Sequence, residues 1–183
     1  MHGIIFASLY DYGRAQLGPK ASDPIFEGRF FSMSEAHSDE EFVALLGRTG
    51  SLLDLSQDEL LQQFGAFTAE KTFARLYPAF FEIAGDTRTF LLTIEDRIHE
   101  LVRATIPNAT PPALSVRPLD PDRVEILYNS PRRLCRLLEG LVIGTGHYYN
   151  ETITISEDEC MSHGAPACRF SVTAHRNYVA SVE

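Results

Sequence analysis

Basic charge, long apolar runs and cysteine are all scarce in this chain, and each scarcity excludes something. Against 25 Asp and Glu stand only 16 Lys and Arg, a formal charge of −9 at pH 7. Nucleic-acid binding needs a basic surface that displaces counterions, so this balance argues against it. No apolar run approaches the roughly 20 residues that span a bilayer. The opening Met1-His2-Gly3-Ile4-Ile5 lacks the basic stretch and small-residue cleavage site of a secretory signal. A cytoplasmic protein with no nucleic-acid or membrane partner is therefore expected. Three cysteines in such a protein suit thiols or metal ligands better than a disulfide framework. The 183 residues, 44% of them hydrophobic, suffice for one domain with a real core or for two small subdomains.

The first half has helical periodicity. Residues 4–17 place Ile5, Leu9 and Tyr12 on one side and stop at Gly18-Pro19. Residues 18–36 look irregular. Ser38 with Glu41, and Ser56 with Glu59, carry the spacing of a capping box and open two helices. The first of these should end between Gly47 and Gly50, and Pro78 should interrupt the helical stretch beyond the second. Asp86 caps a further helix that Pro107 closes. Its apolar residues, among them Phe90, Leu91, Ile94, Ile98 and Leu101, cover enough of the circumference to predict burial from more than one side.

The period then changes to two. Leu114 and Val116, and Val124, Ile126 and Tyr128, alternate with polar neighbours as strands do. Ser130-Pro131 has the form of an N-cap and first helical residue, ahead of Leu134, Leu137, Leu138, Leu141 and Val142. Thr152–Ile155 and Cys168–Thr173 are two more strand candidates. The fold class is α+β: helices first, then strand–strand–helix–strand–strand.

Two features carry chemistry. His99 sits within the apolar helix, where a histidine is usually a satisfied core residue. A neutral imidazole on a helix is also a standard ligand for haem iron. Tyr128-Asn129-Ser130-Pro131-Arg132 begins 29 residues later. A guanidinium can clasp a carboxylate with two parallel hydrogen bonds, and a phenol and a hydroxyl add donors. Such a set suits haem propionates, which are costly to bury unpaired. Each residue also has a plainer role available, Ser130 as a cap, Tyr128 as a core aromatic, Arg132 as a solvated charge.

His99, with Pro111-Pro112 twelve residues later and then Tyr-x-Ser-x-Arg, resembles the H-NOX (haem nitric oxide/oxygen binding) family. Met1-x-Gly3, Phe64-Gly65 and Tyr77-Pro78 extend the resemblance over nearly the whole chain. It implies one haem-binding domain over residues 1–183, with a helical part at about 1–60 and a sheet part at about 61–183. Haem b would lie between them. It further implies that His99 ligates the iron, that Tyr128, Ser130 and Arg132 hold the propionates, and that Pro112 presses on the porphyrin. The distal tyrosine of oxygen-binding members falls at Leu137 here, and Ile5, Leu9 and Leu141 match other pocket-wall positions. A polar contribution could come from near Phe67 or Thr68. An apolar distal wall favours NO and CO over O2, because bound O2 carries partial negative charge and wants a donor.

Cys160-Met161-Ser162-His163, with Cys168 after it and Cys135 before it, could hold tetrahedral Zn2+ through three thiols and an imidazole. Similar zinc sites occur in some members of the resembled family. Their usual histidine position is Glu157 here, so His163 or Glu157 would be the fourth ligand. The thiols could instead pack a turn, or oxidise to a disulfide.

The expected function is a haem-based NO sensor without catalytic activity. It would signal through loss of the iron–His99 bond to a separate protein such as a histidine kinase or a diguanylate cyclase. One rival is a haem-free small-ligand-binding regulatory domain of the vinyl-reductase-like type, which leaves His99 and the Tyr-x-Ser-x-Arg motif without a role. A haem peroxidase would need a distal histidine–arginine pair, which the apparent pocket lacks.

Overall fold

Residues 1–177 are described by a computed structural model. Helix α1 (Gly3–Leu17) is capped by the His2 side chain, and α2 (Pro19–Phe26) comes at once after it. The stretch expected to be irregular is thus partly helical. Gly18 turns the chain at φ 74°, Pro19 supplies a preset first helical residue, and Ser22, Ile25 and Phe26 are buried. Ser38 opens α3 (Asp39–Leu53), and Ser56 with Glu59 forms a complete capping box at α4 (Gln57–Phe67). α3 runs through Gly47 and Gly50, where an end was expected. Burial of Leu45, Leu46 and Thr49 outweighs the about 1 kcal/mol that each helical glycine costs.

Beyond α4 the helix widens into a π segment at Thr68–Phe73, tightens over α5 (Ala74–Leu76) and breaks at Tyr77. Pro78 starts α6 (Pro78–Ala84). Asp86 caps α7 (Thr87–Thr93), and the chain continues through a second π segment, Ile94–His99, into α8 (Glu100–Thr105). The hairpin β1 (Ala113–Asp120) and β2 (Arg123–Asn129) leads to α9 (Cys135–Tyr148), then β3 (Glu151–Glu159) and β4 (Cys168–Arg176). The four strands form one antiparallel sheet in the order β1-β2-β4-β3.

One expected start is displaced. α9 begins at Cys135 rather than at Pro131. The Ser130 hydroxyl accepts the Arg132 N–H in a tight turn, and Arg133 adopts a left-handed φ of 50° that no helix continues. Arg132 therefore projects from a turn and not from a helix.

Two cores share α9. Leu137 enters a cluster built from α1 to α4, with Phe6, Leu9, Phe42 and Phe64. Leu138, Val142 and Cys135 face the other way, onto Ile126, Tyr128, Phe170 and Val172 of the sheet. α4 and α9 cross at backbone contact. A Cβ on Gly140 would lie 2.1 Å from the Gln62 carbonyl oxygen, and one on Gly144 would lie 2.1 Å from that of Ala66. Helix burial is lopsided around His99. Phe90 and Leu91 are buried, but no residue from Ile94 to Thr105 is, and Leu101 is 49% exposed. The expected burial on more than one side is met only in the first part, where Leu91 enters the sheet core and Phe90 a separate cluster with Ala74 and Phe81. Beyond Thr93 protein covers the helix only in part, with Ile94 and Ile98 packed against the Phe81 and Phe90 cluster.

Gly140→Ala should lower stability by about 2–3 kcal/mol in chemical denaturation, the scale of an overpacked site, because two backbones must part. Gly47 lies in open space on α3, so Gly47→Ala should instead raise stability by up to about 1 kcal/mol.

Candidate functional site

His99 ends the second π segment. Its Nδ1 lies 2.9 Å from Glu95 Oε2, one helical step back. That oxygen also accepts the Leu114 backbone N–H at 3.2 Å, and Glu95 Oε1 accepts from Arg103. An imidazole that donates from Nδ1 carries its lone pair on Nε2. Burial lowers the His99 pKa below its ordinary value, while the neighbouring carboxylate pulls the other way. Burial works to raise the pKa of Glu95, but its bonds from His99, Arg103 and Leu114 outweigh that and hold it down. The ring is thus held neutral beside a charged acceptor, the form in which a histidine binds metal.

The second motif surrounds the end of β2. Tyr128 is buried, and its oxygen accepts the Leu134 N–H at 3.1 Å, which leaves its own hydrogen to donate. Burial raises its pKa, so the phenol stays protonated. Ser130 is buried beside it; its hydroxyl accepts from the Arg132 N–H and shares a hydrogen bond with the Tyr128 phenol. The Arg132 guanidinium reaches three acceptors. Nε bonds Asp39 Oδ2 at 2.8 Å, and the two Nη atoms bond the Thr110 carbonyl at 2.7 Å and its hydroxyl at 2.8 Å. Asp39 also takes the Met1 ammonium at 2.7 Å. Thr110 directly precedes Pro111 and the half-buried Pro112, so the clamp ties α3, the chain start and the proline loop together.

Across the molecule, Leu9 of α1 and Leu137 of α9 are buried in the same core, with Ile5 and Leu141 packed against it. The polar group anticipated near Thr68 is present but engaged. Ser8 bonds Thr68 at 2.8 Å and Thr72 at 3.0 Å, all three fully or almost fully buried.

The three cysteines converge. Cys160 Sγ lies 3.8 Å from both Cys135 Sγ and Cys168 Sγ, far beyond the about 2.05 Å of a disulfide, and the thiols are free. A Glu157 carboxylate oxygen joins them, all four ligand atoms lying within 4.8 Å of one another. Arg136 bonds Glu157 Oε2 at 3.0 Å, while Oε1 is buried with no hydrogen-bond partner among the described residues. His163, the other fourth candidate, is exposed in a 3-10 turn and stands outside the group. Burial pushes the Cys135 thiol up, and takes Cys168 to about 12. Glu95 and Asp39 were not singled out from the sequence. The i, i+4 spacing of Glu95 to His99 was a usable signal, whereas nothing local marks Asp39 as a partner of Arg132, 93 residues away.

A family model for haem-NO-binding domains matches residues 2–157. The chain belongs to the haem-NO-binding (H-NOX) family. That is a family of haem-based gas sensors. No curated protein matches it. Among solved structures, an H-NOX protein from S. oneidensis in the Fe(II)NO state matches with a TM-score of 0.87 at 25% identity, over 96% of this chain and 100% of that one. A triple mutant H-NOX protein from S. oneidensis in the Fe(II) state gives 0.89 at 26% identity, over 97% and 98%. An unliganded Fe(II) H-NOX protein from K. algicida, 22% identical, shares the fold at 0.81, over 99% and 100%. No helix among the described residues is long and apolar enough to cross a membrane.

The residues present suit haem. His99 has an oriented donor nitrogen, the helix around it offers half-buried apolar surface, and three donors gather at the end of β2.

Asp39 has a lowered pKa. Burial raises it, but Arg132 and the chain amine outweigh that. Its pairing therefore stabilises the fold above the ordinary carboxylate range and fades as pH falls through the lowered value. Asp39→Asn should cost no more than about 1 kcal/mol at pH 7, the carboxylate being 44% exposed and screened. The gap from the parent should close below about pH 3.9, where Asp protonates in unfolded chains. Urea denaturation at both pH values measures it.

Proposed function

We propose that this chain binds haem b between α1, α9 and the His99 helix and senses nitric oxide. The observation that carries the reading is His99, its Nδ1 engaged by Glu95 and its Nε2 left as the donor, set together with the Tyr128, Ser130 and Arg132 donors. When bound, haem would supply a ferrous iron with His99 on one side and the other side open to gas. Arg132, Tyr128 and Ser130 would hold the propionates. Arg132 is already paired to a carboxylate, that of Asp39, so it is oriented for one. Pro112 would press on the ring. Ile5, Leu9, Leu137 and Leu141 would wall the distal side.

The hydrocarbon walls offer no proton to a bound gas, and of the nearby hydroxyls Ser8 donates to Thr72 and bonds Thr68. NO and CO tolerate this, whereas O2 does not. The signal would start when His99 loses its bond to the metal and its helix, which protein holds firmly at α7 and through the Glu95–Leu114 bond but leaves largely exposed beyond His99, shifts. It would pass to a separate protein of the histidine kinase or diguanylate cyclase kind, and the chain itself would be no enzyme. The ferrous protein should show a Soret band that shifts with NO and CO and stays unchanged in air-saturated buffer. Leu137→Tyr should bring in an oxy spectrum. A colourless protein after expression with ample haem precursor would overturn the proposal, and a stable oxy complex of the parent would overturn its distal part.

The same proposal gives the thiol cluster a zinc ion, held by Cys135, Cys160, Cys168 and Glu157. Glu157 supports this set, with one carboxylate oxygen among the three thiols and its buried Oε1 unpartnered among the described residues, and the exposure of His163 argues against the alternative. Purified protein should contain one zinc per chain. Cys168→Ser should abolish it, Glu157→Gln should weaken it about 10-fold or more, and His163→Ala should leave it unchanged. Metal-free, folded parent protein would remove the claim.

A further inference from the structure

Glu95 makes more connections than its place on a helix surface requires. Its two oxygens receive three donors from three places: His99 at the end of the same π segment, Arg103 one turn into α8, and the Leu114 N–H at the start of β1. β1 is an edge strand, paired only with β2. Leu114 therefore has no second strand to bond, and Glu95 takes its N–H instead. Across the ladder, Leu114 faces Tyr128. A short path thus runs from the His99 ring through the Glu95 carboxylate to the strand pair that carries Tyr128 and leads into the turn of Ser130 and Arg132.

We propose that Glu95 is the positioning residue of His99: its carboxylate fixes the ring as the Nδ1–H tautomer, strengthens Nε2 as a metal ligand, and fastens the ring to the β1 edge. The inference rests on the haem reading above. A charged acceptor on the far nitrogen gives the imidazole imidazolate character, which makes the metal bond harder to break. Arg103 opposes this, because a cation on the same carboxylate draws its charge away from the ring. Asp96, Arg97 and Glu100, the other charges nearby, point to solvent. Glu95 thereby sets how readily His99 lets go, while Arg103 trims that setting. The Leu114 bond gives a released ring a direct pull on the sheet.

Glu95→Gln keeps the shape and an acceptor for Leu114, and removes the charge. In the haem-loaded protein its iron–histidine stretch should move to lower wavenumber. Haem should pass to apomyoglobin about 10-fold faster, and a larger share of the NO complex should lack the histidine bond. Arg103→Leu should move all three in the opposite direction. A purely structural Glu95 would change thermal stability in both variants and leave the stretch where it was. Nitrogen NMR of the haem-free chain supplies an arm that needs no cofactor: His99 should be the Nδ1–H tautomer in the parent and mixed in Glu95→Gln. Parent protein that takes up no haem sinks the haem reading alone. A loaded Glu95→Gln with the parent's stretch and NO spectrum, or a parent His99 protonated on Nε2, overturns the role of Glu95.

Discussion

The crossing of α4 and α9 is the constraint on which the rest depends. Glycines at 65, 140 and 144 bring the two backbones to a separation that no side chain would permit. α9 is thereby held as a shared wall, sending Leu137 into the helical core and Leu138 and Val142 onto the sheet. Leu137 and Leu141, proposed to wall the distal side, the thiol Cys135 and the packing behind Tyr128 all take their places from this one helix. A shift of α9 would therefore be felt at the helical core, the cysteine cluster and the sheet together.

Much of this was legible in the residues. Ser38, Ser56 and Asp86 are capping residues in the structure, because a short polar side chain ahead of a helix has few competing uses. The alternation of Val124, Ile126 and Tyr128 appears as a strand with those three residues buried, since a one-residue slip would expose all of them. Pro78 breaks the chain as a residue without an N–H must.

What was not legible depends on distance or on subtle geometry. A π segment costs one residue of register and leaves the apolar pattern nearly intact, so Thr68–Phe73 and Ile94–His99 give no periodic warning. The turn at Ser130 mimics a helix cap, and only the left-handed Arg133 distinguishes them. Asp39 reads as a first-turn helix acid, and only tertiary folding brings Arg132 to it. The burial expected on more than one side holds for Phe90 and Leu91 and thins from Ile94 onward, because an apolar helix face does not by itself say how far its cover extends.

The thiol trio has an odd membership with an uneven layout. Cys160 stands between the other two at equal range, 3.8 Å from each. Oxidation of the metal-free cluster by a two-electron oxidant would thus couple Cys160 to one neighbour and always leave a third sulfur behind to attack the new bond. The two products differ mechanically. A bond to Cys168 only closes the loop between β3 and β4, whereas a bond to Cys135 rivets that loop to the first turn of α9. Exchange between them would shuttle a covalent tether on and off the helix that both cores share.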